Sequence, residues 1–210
     1  MKRILLFVIV SILTLSLWGQ TKLTNVQQKQ IVEKIDKASS AMTSMQCDFI
    51  QIKRMKLLKK EMQSKGVMYY KQGNKLRWQY TSPYDYTFLM NGDKMRIKSS
   101  KSTKDIDVQG NKMFRQVTSI IINTITGGGL KSSSDFVVEL YKADNNYFAK
   151  LYPKKKELKQ IYQVIEIHFN SSLTMVESVL LQEKTGDTTQ VKLTNVKVNA
   201  TISEKVFSVD

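Results

Sequence analysis

The chain has 210 residues and a formal net charge of +15, so a macromolecular partner that uses this charge would be anionic, either lipid head groups or an acidic protein surface. Nucleic acid is not expected as the partner, because the sequence has no helix-turn-helix, zinc-ligand or RNA-recognition spacing. The single cysteine, Cys47, can neither close a disulfide nor form a metal site, and we expect a small buried side chain rather than a reactive group.

The first 19 residues are predicted to be a secretory signal peptide. Lys2 and Arg3 precede an almost wholly apolar stretch over residues 4–17, and Gly19 provides a small residue after which cleavage is expected. The apolar stretch is shorter than the roughly 20 residues of a membrane-spanning helix, and no cysteine lies nearby to carry a lipid. The sequence therefore predicts an exported protein with one mature domain over residues 20–210.

A helix is predicted at the start of the mature domain. Thr24 and Gln27 have the spacing of a capping box, in which each side chain bonds to the backbone of the other. Apolar side chains then recur at helical spacing among lysines and glutamate, at Ile31, Ile35, Ala38 and Met42. This pattern is typical of an amphipathic helix.

Residues 45–100 are predicted to form antiparallel strands. Strands over 45–53 and 61–70 flank a lysine-rich turn, and Asn91-Gly92 is typical of a later tight turn. Aromatic and other apolar side chains that suit a pleated surface follow at Leu76, Trp78, Tyr80, Tyr86, Phe88 and Met90. A meander of short strands is expected.

Basic side chains cluster in two places, within residues 53–60 and at 154–156. One interpretation is a surface for the anionic partner. The alternative is a set of solvated positions on strand faces and loops. The sequence leaves both open.

The second half of the chain begins with another predicted helix, over residues 113–125. It should end at three consecutive glycines, because glycine is unfavourable in a helix and supplies the turn that follows one. Five strands are then predicted, over residues 136–141, 147–152, 161–169, 175–182 and 190–198. This order predicts an α+β fold, in which two helices cover one face of a strongly curved antiparallel sheet.

No catalytic site is expected. His168, the only histidine, shares the polar face of a strand with Glu166, and we interpret the two as a surface pair. No motif assigns a base to a serine or cysteine nucleophile, and the glycines at 127–129 follow a helix, the wrong order for phosphate binding. The sequence predicts a binding protein that is not an enzyme and needs no cofactor or metal.

One stretch resembles a known family. Leu76-Arg77-Trp78-x-Tyr80-x-x-Pro83, followed by Asn91-Gly92-Asp93, is similar to the signature of the LolA family of periplasmic outer-membrane lipoprotein carriers. The resemblance extends over nearly the whole mature chain through less specific matches at Phe49-x-Gln51, Tyr152-Pro153, Glu183-Lys184-Thr185-Gly186, and Asn199 with Phe207. Two departures are Glu183, where the family often has aspartate, and a central helix without the proline that many members carry.

The resemblance implies an incomplete β-barrel closed by a helical lid over an apolar cavity for acyl chains. It also implies that Arg77 lies on the concave side and hydrogen-bonds to the lid, gating cargo; a solvent-facing strand arginine is the alternative. Gly127, Gly128 and Gly129 are the candidate hinge of the lid. The candidate cavity residues are Phe49, Met68, Tyr70, Trp78, Phe88, Met90, Met113, Val117, Ile121 and Ile125.

The function implied is that of a carrier that shuttles lipoproteins across the periplasm. It would accept their acyl chains from an inner-membrane lipoprotein-release ABC complex and pass them to an outer-membrane acceptor, acting as a monomer. The alternative is a module of the same fold that senses lipids or lipoproteins, or a lipid carrier dedicated to one pathway.

Overall fold

The computed structural model describes residues 20–107, 112–131 and 133–208, with the backbone alone over 112–117. The predicted signal peptide, residues 1–19, lies outside the described residues. Within them, no helix combines the length and hydropathy that crossing a bilayer requires.

The predicted helices and strands occur in the predicted order, and the structure adds a two-residue first strand and two short helices. In chain order they are β1 (Thr21–Lys22), α1 (Asn25–Ala41), β2 (Ser44–Met55), β3 (Lys60–Lys71), β4 (Lys75–Ser82), β5 (Tyr86–Asn91), β6 (Lys94–Ser99), β7 (Thr103–Asp107), α2 (Lys112–Thr126), β8 (Phe136–Ala143), β9 (Asn146–Pro153), α3 (Lys156–Ile161), β10 (Tyr162–Phe169), β11 (Val176–Glu183) and β12 (Thr188–Val198). A 3₁₀ helix, Glu204–Phe207, follows β12.

All the strands of the described chain belong to one antiparallel sheet, in the order β1-β8-β9-β10-β11-β12-β2-β3-β4-β5-β6-β7. Two meanders, β2 to β7 and β8 to β12, are joined where β12 pairs with β2, from Thr188 opposite Arg54 to Val198 opposite Met45. The sheet is open, because β1 and β7 are its two edges and do not pair with each other. The predicted α+β fold with an incomplete barrel is confirmed.

Helix α1 begins as predicted. The Thr24 hydroxyl accepts a hydrogen bond from the Gln27 backbone, and the Gln27 side chain accepts one from the Thr24 backbone, so both halves of the capping box are present. Ile35 is buried, as is Met42 at the end of the helix. Gln28 ties α1 to the sheet, since its side chain donates to the Leu23 carbonyl and accepts from the Leu140 backbone.

The two faces of the sheet differ in character. The inner face carries Trp78 together with its register partners Met68 on β3 and Phe88 on β5, and α2 packs against it. The outer face carries Arg77, whose register partners are Tyr69 and Leu89. This alternation follows from the two-residue period of a strand.

Methionines of the first meander fill the core. Met45, Met68, Met90 and Met95 are at most 2% exposed, so they act as packing residues. Cys47 lies among them, also 2% exposed. Burial, and then the neighbouring Asp48, raise the pKa of its thiol to about 12, which keeps it protonated. The prediction of a buried cysteine is confirmed.

Helix α3 was not predicted, and the strand expected from residue 161 begins at Tyr162 instead. The helix has six residues, and only Leu158 among them is buried, so its sequence shows no apolar periodicity. Glu157 in the first turn and Lys159 in the last complement the helix dipole.

Candidate functional site

A hollow lies between α2 and the inner face of the sheet. It comprises two adjoining spaces of about 110 and 260 Å³ that share Trp78, Ile121, Leu181 and Val191 in their walls. We call it the α2 hollow; its remaining wall residues are Gln51, Leu76, Tyr80, Tyr86, Phe88, Ile120, Thr124, Ile125, Tyr162, Ile165, Val179, Thr189 and Leu193. Most of the wall is aliphatic or aromatic, so the hollow suits an apolar ligand.

The structure brings some of the predicted cavity residues into this wall and places others beneath it. Trp78, Phe88, Ile121 and Ile125 line the α2 hollow. The others with described side chains are buried in the apolar core that supports the wall: Phe49, Met68, Tyr70 and Met90. The side chains of Met113 and Val117 lie outside the described residues.

Much of the wall comes from strands β10 to β12. These strands were predicted, but none of their residues was among the predicted cavity residues. Val179 and Leu181 on β11 face the hollow, as do Val191 and Leu193 on β12. The alternation of apolar and polar residues on these two strands was visible in the sequence. The pairing that carries them under α2 is long-range, which local patterns do not show.

Phe49 supports the floor of the hollow. Its ring centroid lies 4.5 Å from that of Trp78 and 5.2 Å from that of Tyr80, the latter edge to face. Gly66 makes room for this ring, because a Cβ there would lie 2.5 Å from Phe49 Cζ and 2.0 Å from the Gln79 carbonyl oxygen. A substitution at Gly66 would therefore displace the aromatic floor.

One polar donor in the wall lacks a hydrogen bond. The indole Nε1 of Trp78 is buried and has no hydrogen-bond partner within the described part of the chain. The Tyr80 hydroxyl donates to Gln51 Oε1 at 2.9 Å. Burial raises the pKa of Tyr80, and the nearby Trp78 and Gln51 side chains partly offset this. The hollow thus contains a buried indole N–H that makes no well-formed hydrogen bond and lies beside the Tyr80 hydroxyl.

Two threonines of α2 turn their hydroxyls back onto the helix. Thr124 donates to the Ile120 carbonyl and Thr126 to the Ile122 carbonyl, at 2.6 and 2.8 Å. Neither hydroxyl therefore bonds α2 to the sheet, and the wall contacts described for the helix are made mainly by isoleucines.

Helix α2 ends at closely packed glycines. Gly127 has φ +75°, and a Cβ there would lie 2.9 Å from Phe169 and 3.3 Å from Ile35. Gly129 also has a positive φ, +72°. These positions need glycine for the turn, and at Gly127 for space as well. A hinge role for Gly127, Gly128 and Gly129 stays a prediction.

Arg77 differs from the arrangement that the resemblance implied. It lies on the outer face, opposite Trp78, where its Nη1 donates to the Val206 carbonyl at 3.2 Å and its Nε donates to Gln79 Oε1 at 3.1 Å. Trp78, not Arg77, faces the concave side beneath α2. Arg77 therefore fastens the C-terminal segment, residues 199–208, to the back of the sheet.

Other contacts fasten the same segment. Phe207 is fully buried, and its carbonyl accepts a hydrogen bond from the Asn91 side chain at 3.1 Å. The Glu204 carboxylate bonds to Lys71 and Lys75, which lower its pKa to about 2. These contacts give a structural role to Asn91 and Phe207, both of which belong to the motifs that suggested the family.

A comparison with protein families identifies the chain. The model of the family "Outer membrane lipoprotein carrier protein LolA" matches residues 40–210. The chain belongs to the LolA family. An outer-membrane lipoprotein carrier protein from Methylococcus capsulatus is 23% identical over 198 residues, covering 93% of this chain and 89% of that protein.

Solved structures share the LolA-type fold. An uncharacterised conserved protein from Thermus thermophilus has a TM-score of 0.52 at 9% identity, covering 88% of this chain and 94% of its own. The Pseudomonas aeruginosa MucA/MucB complex gives 0.51 at 10% identity, covering 88% of this chain and 61% of its own. At these identities the similarity shows the fold alone.

The histidine of this LolA-family chain lies in an ionic and aromatic cluster on the outer face. His168 stacks on Phe148 with ring centroids 5.0 Å apart, and its Nε2 lies 3.4 Å from Glu166 Oε2. Glu166 is only 7% exposed, so the prediction of a surface pair was wrong for the glutamate. His168 and then Lys150 lower the pKa of Glu166 against the effect of burial. Among the described residues, no group of His, Cys, Asp and Glu could hold a metal ion.

Proposed function

We propose that the chain is a carrier that shelters lipoprotein acyl chains in the α2 hollow. The observation that supports this most directly is the apolar wall between a largely apolar helix and the inner face of the sheet. Membership in the LolA family agrees with it. The buried Nε1 of Trp78 adds one donor that an ester or amide carbonyl of the cargo can accept from.

Loading requires α2 to move. The two spaces, about 110 and 260 Å³, together reach only the low end of ligand pockets, which hold roughly 300–1,000 Å³. A 16-carbon chain gains roughly 12 kcal/mol on leaving water. Withdrawing Ile120, Ile121 and Ile125 of α2 from the sheet costs on the order of 4–9 kcal/mol. Cargo that takes their place offsets part of this free energy. Acyl binding therefore drives the helix open, and cargo release allows it to close.

The proposed setting is the periplasm, reached through the predicted signal peptide at residues 1–19. There the carrier takes lipoproteins from an inner-membrane ABC complex and delivers them to an outer-membrane acceptor. The chain acts without catalysis, since it moves its cargo and makes no bond.

Bound cargo tests this proposal. The protein is isolated from the periplasm of cells that produce it, and bound molecules are identified by mass spectrometry. We expect acylated lipoproteins, and their loss in Ile121→Asp, which places a carboxylate in the shared wall. Recovery of free phospholipid alone would contradict lipoprotein carriage and favour a lipid carrier dedicated to one pathway.

A further inference from the structure

The turn between β2 and β3, residues 56–59, presents two leucines to solvent. Leu57 is 89% exposed and Leu58 69% exposed. They are the central residues of a closed turn, in which the Lys59 backbone N–H donates to the Lys56 carbonyl at 3.3 Å. Central turn positions favour glycine, asparagine and aspartate, so two leucines there gain nothing from the fold. Their apolar surface is available to a partner.

The hairpin that carries this turn extends past β4, its neighbour on one side. Strands β2 and β3 pair with each other up to Met55 opposite Lys60. Pairing of β3 with β4 already stops at Lys65 opposite Ser82. Residues 60–64 therefore extend beyond β4 by roughly 17 Å at about 3.4 Å per residue. On the other side β12 pairs with β2 as far as Arg54, so it is the turn itself, with the two leucines at its tip, that extends past both neighbouring strands.

Basic side chains surround the tip. Residues 53–61 contain five Lys or Arg side chains and one acidic residue, Glu61, which pairs with Arg54 at 2.7 Å. Lys53 pairs with Glu183. Among the residues that the structure describes, no acidic side chain forms an ion pair with Lys56, Lys59 or Lys60. The leucines are thus flanked by cations that are available to an anionic surface.

The tip and the α2 hollow share strands. Gln51 on β2 and Thr189 on β12 line the hollow, and four residues after Gln51 the strand reaches Met55 at the turn. Met55, Lys56, Lys59 and Thr188 line a shallow concavity of about 460 Å³ beneath the tip. Ile161, half exposed, is linked to this end of the sheet by its carbonyl, which accepts from the Lys184 backbone.

We propose that this turn docks the protein on an anionic phospholipid bilayer, with Leu57 and Leu58 inserted at the level of the head groups and the lysines against the phosphates. A bilayer fits better than a folded partner, because two projecting leucines with a ring of lysines need an apolar layer beneath an anionic one. Attachment through two side chains and a few lysines is reversible, which suits a shuttle. The inference deepens the proposed function, since it brings the α2 hollow to the surface where acyl chains leave or enter.

Vesicle binding tests the proposal. The mature chain is sedimented with vesicles of phosphatidylglycerol and phosphatidylcholine, and with phosphatidylcholine alone, at low and high salt. We expect binding to the anionic vesicles that salt weakens. Leu57→Asp with Leu58→Asp should weaken binding at least about tenfold. Lys59→Gln and Lys60→Gln should each weaken it about fivefold.

Val26→Asp is the matched control, because Val26 is 70% exposed on α1, a different part of the surface. It should bind vesicles as the unchanged protein does. Circular dichroism checks that every variant is folded. Anionic-vesicle binding that persists in the double aspartate variant would leave only a charge contact and overturn insertion. No binding by the unchanged protein would overturn the docking surface altogether and favour an acidic protein partner.

An acyl-ligand titration on the same variants separates this inference from the proposed function. The double aspartate variant should take up a fatty-acyl probe as well as the unchanged protein does, since neither leucine lines the α2 hollow. Loss of vesicle binding with probe uptake intact supports docking by the turn. Failure of probe uptake in the unchanged protein would reject the carrier, whatever the vesicles show.

Discussion

Arg77 fastens the C-terminal segment to the outer face of the sheet through its hydrogen bond to the Val206 carbonyl. The sequence placed Arg77 and Trp78 on opposite faces of β4, and the structure agrees. Which of these faces meets the core depends on where α2 packs, and no local pattern contains that information. The motif therefore led to the correct family, but the contact that its arginine makes could not be predicted from the sequence.

Arg77→Leu should destabilise the protein without changing acyl binding. The substitution removes the hydrogen bond to the Val206 carbonyl, and charged hydrogen bonds contribute about 1.5–3 kcal/mol. Urea unfolding should show a loss of about 1–2 kcal/mol. The control Arg54→Leu removes only an exposed ion pair with Glu61 and should lose less, at most about 1 kcal/mol. A changed affinity for an acyl probe in folded Arg77→Leu would instead support the lid clasp that the family resemblance implied.

Glu204 gives the C-terminal segment a dependence on acid pH. Its pKa is about 2 in the folded state, below the ordinary 4.5, so the stabilisation is present above pH 4.5 and disappears as pH falls towards 2. The difference in melting temperature between the unchanged protein and Glu204→Gln should therefore shrink over this range. A difference that stays constant from pH 7 to pH 2.5 would show that Lys71 and Lys75 contribute nothing through this carboxylate.

Helix α2 is the element on which the carrier proposal depends, and Ile121 lines both spaces beneath it. Ile121→Asp should lower the affinity for an acyl probe at least about tenfold, because a carboxylate in an apolar wall is strongly unfavourable. Asn123→Asp, exposed on the same helix, is the control and should bind normally. Equal affinities in a fluorescence titration would place the ligand elsewhere.

Two glycine substitutions separate the cost of close packing at the end of α2 from the cost of backbone strain. Gly127→Ala places a side chain at a residue with φ +75° and a Cβ 2.9 Å from Phe169, and should destabilise by about 2–4 kcal/mol. Gly73→Ala has φ +89° with no atom within 4 Å, so it carries the strain alone, about 1 kcal/mol. Equal losses in denaturant unfolding would show that the α2 end is loosely packed.

The elements themselves were largely predictable. The capping box and apolar spacing gave α1, the isoleucines and glycines gave α2, and alternation gave most strands. Helix α3 could not be predicted, because only Leu158 in it is buried and the sequence therefore has no apolar periodicity there. The sheet order places β12 beside β2 and so brings β10 to β12 into the hollow wall. It depends on pairing between residues over 130 positions apart.

The whole molecule combines, in one open sheet, an apolar hollow, the helix that covers it and a basic turn. The carrier proposal requires that acyl chains enter the α2 hollow. Residues 20–210 contain a single tryptophan, Trp78, and it lines both spaces of the hollow. Its fluorescence therefore reports events at the site itself.

Titration of a protein that spans residues 20–210 with palmitate, followed by tryptophan fluorescence, tests this claim most directly. We predict a saturable change in the intensity and wavelength of Trp78 emission, with a Kd in the micromolar range or below. The affinity obtained from this change should be at least about tenfold lower in Ile121→Asp and unaltered in Asn123→Asp. Unchanged emission from a folded protein at saturating palmitate, or an equal response in Ile121→Asp, would contradict the account.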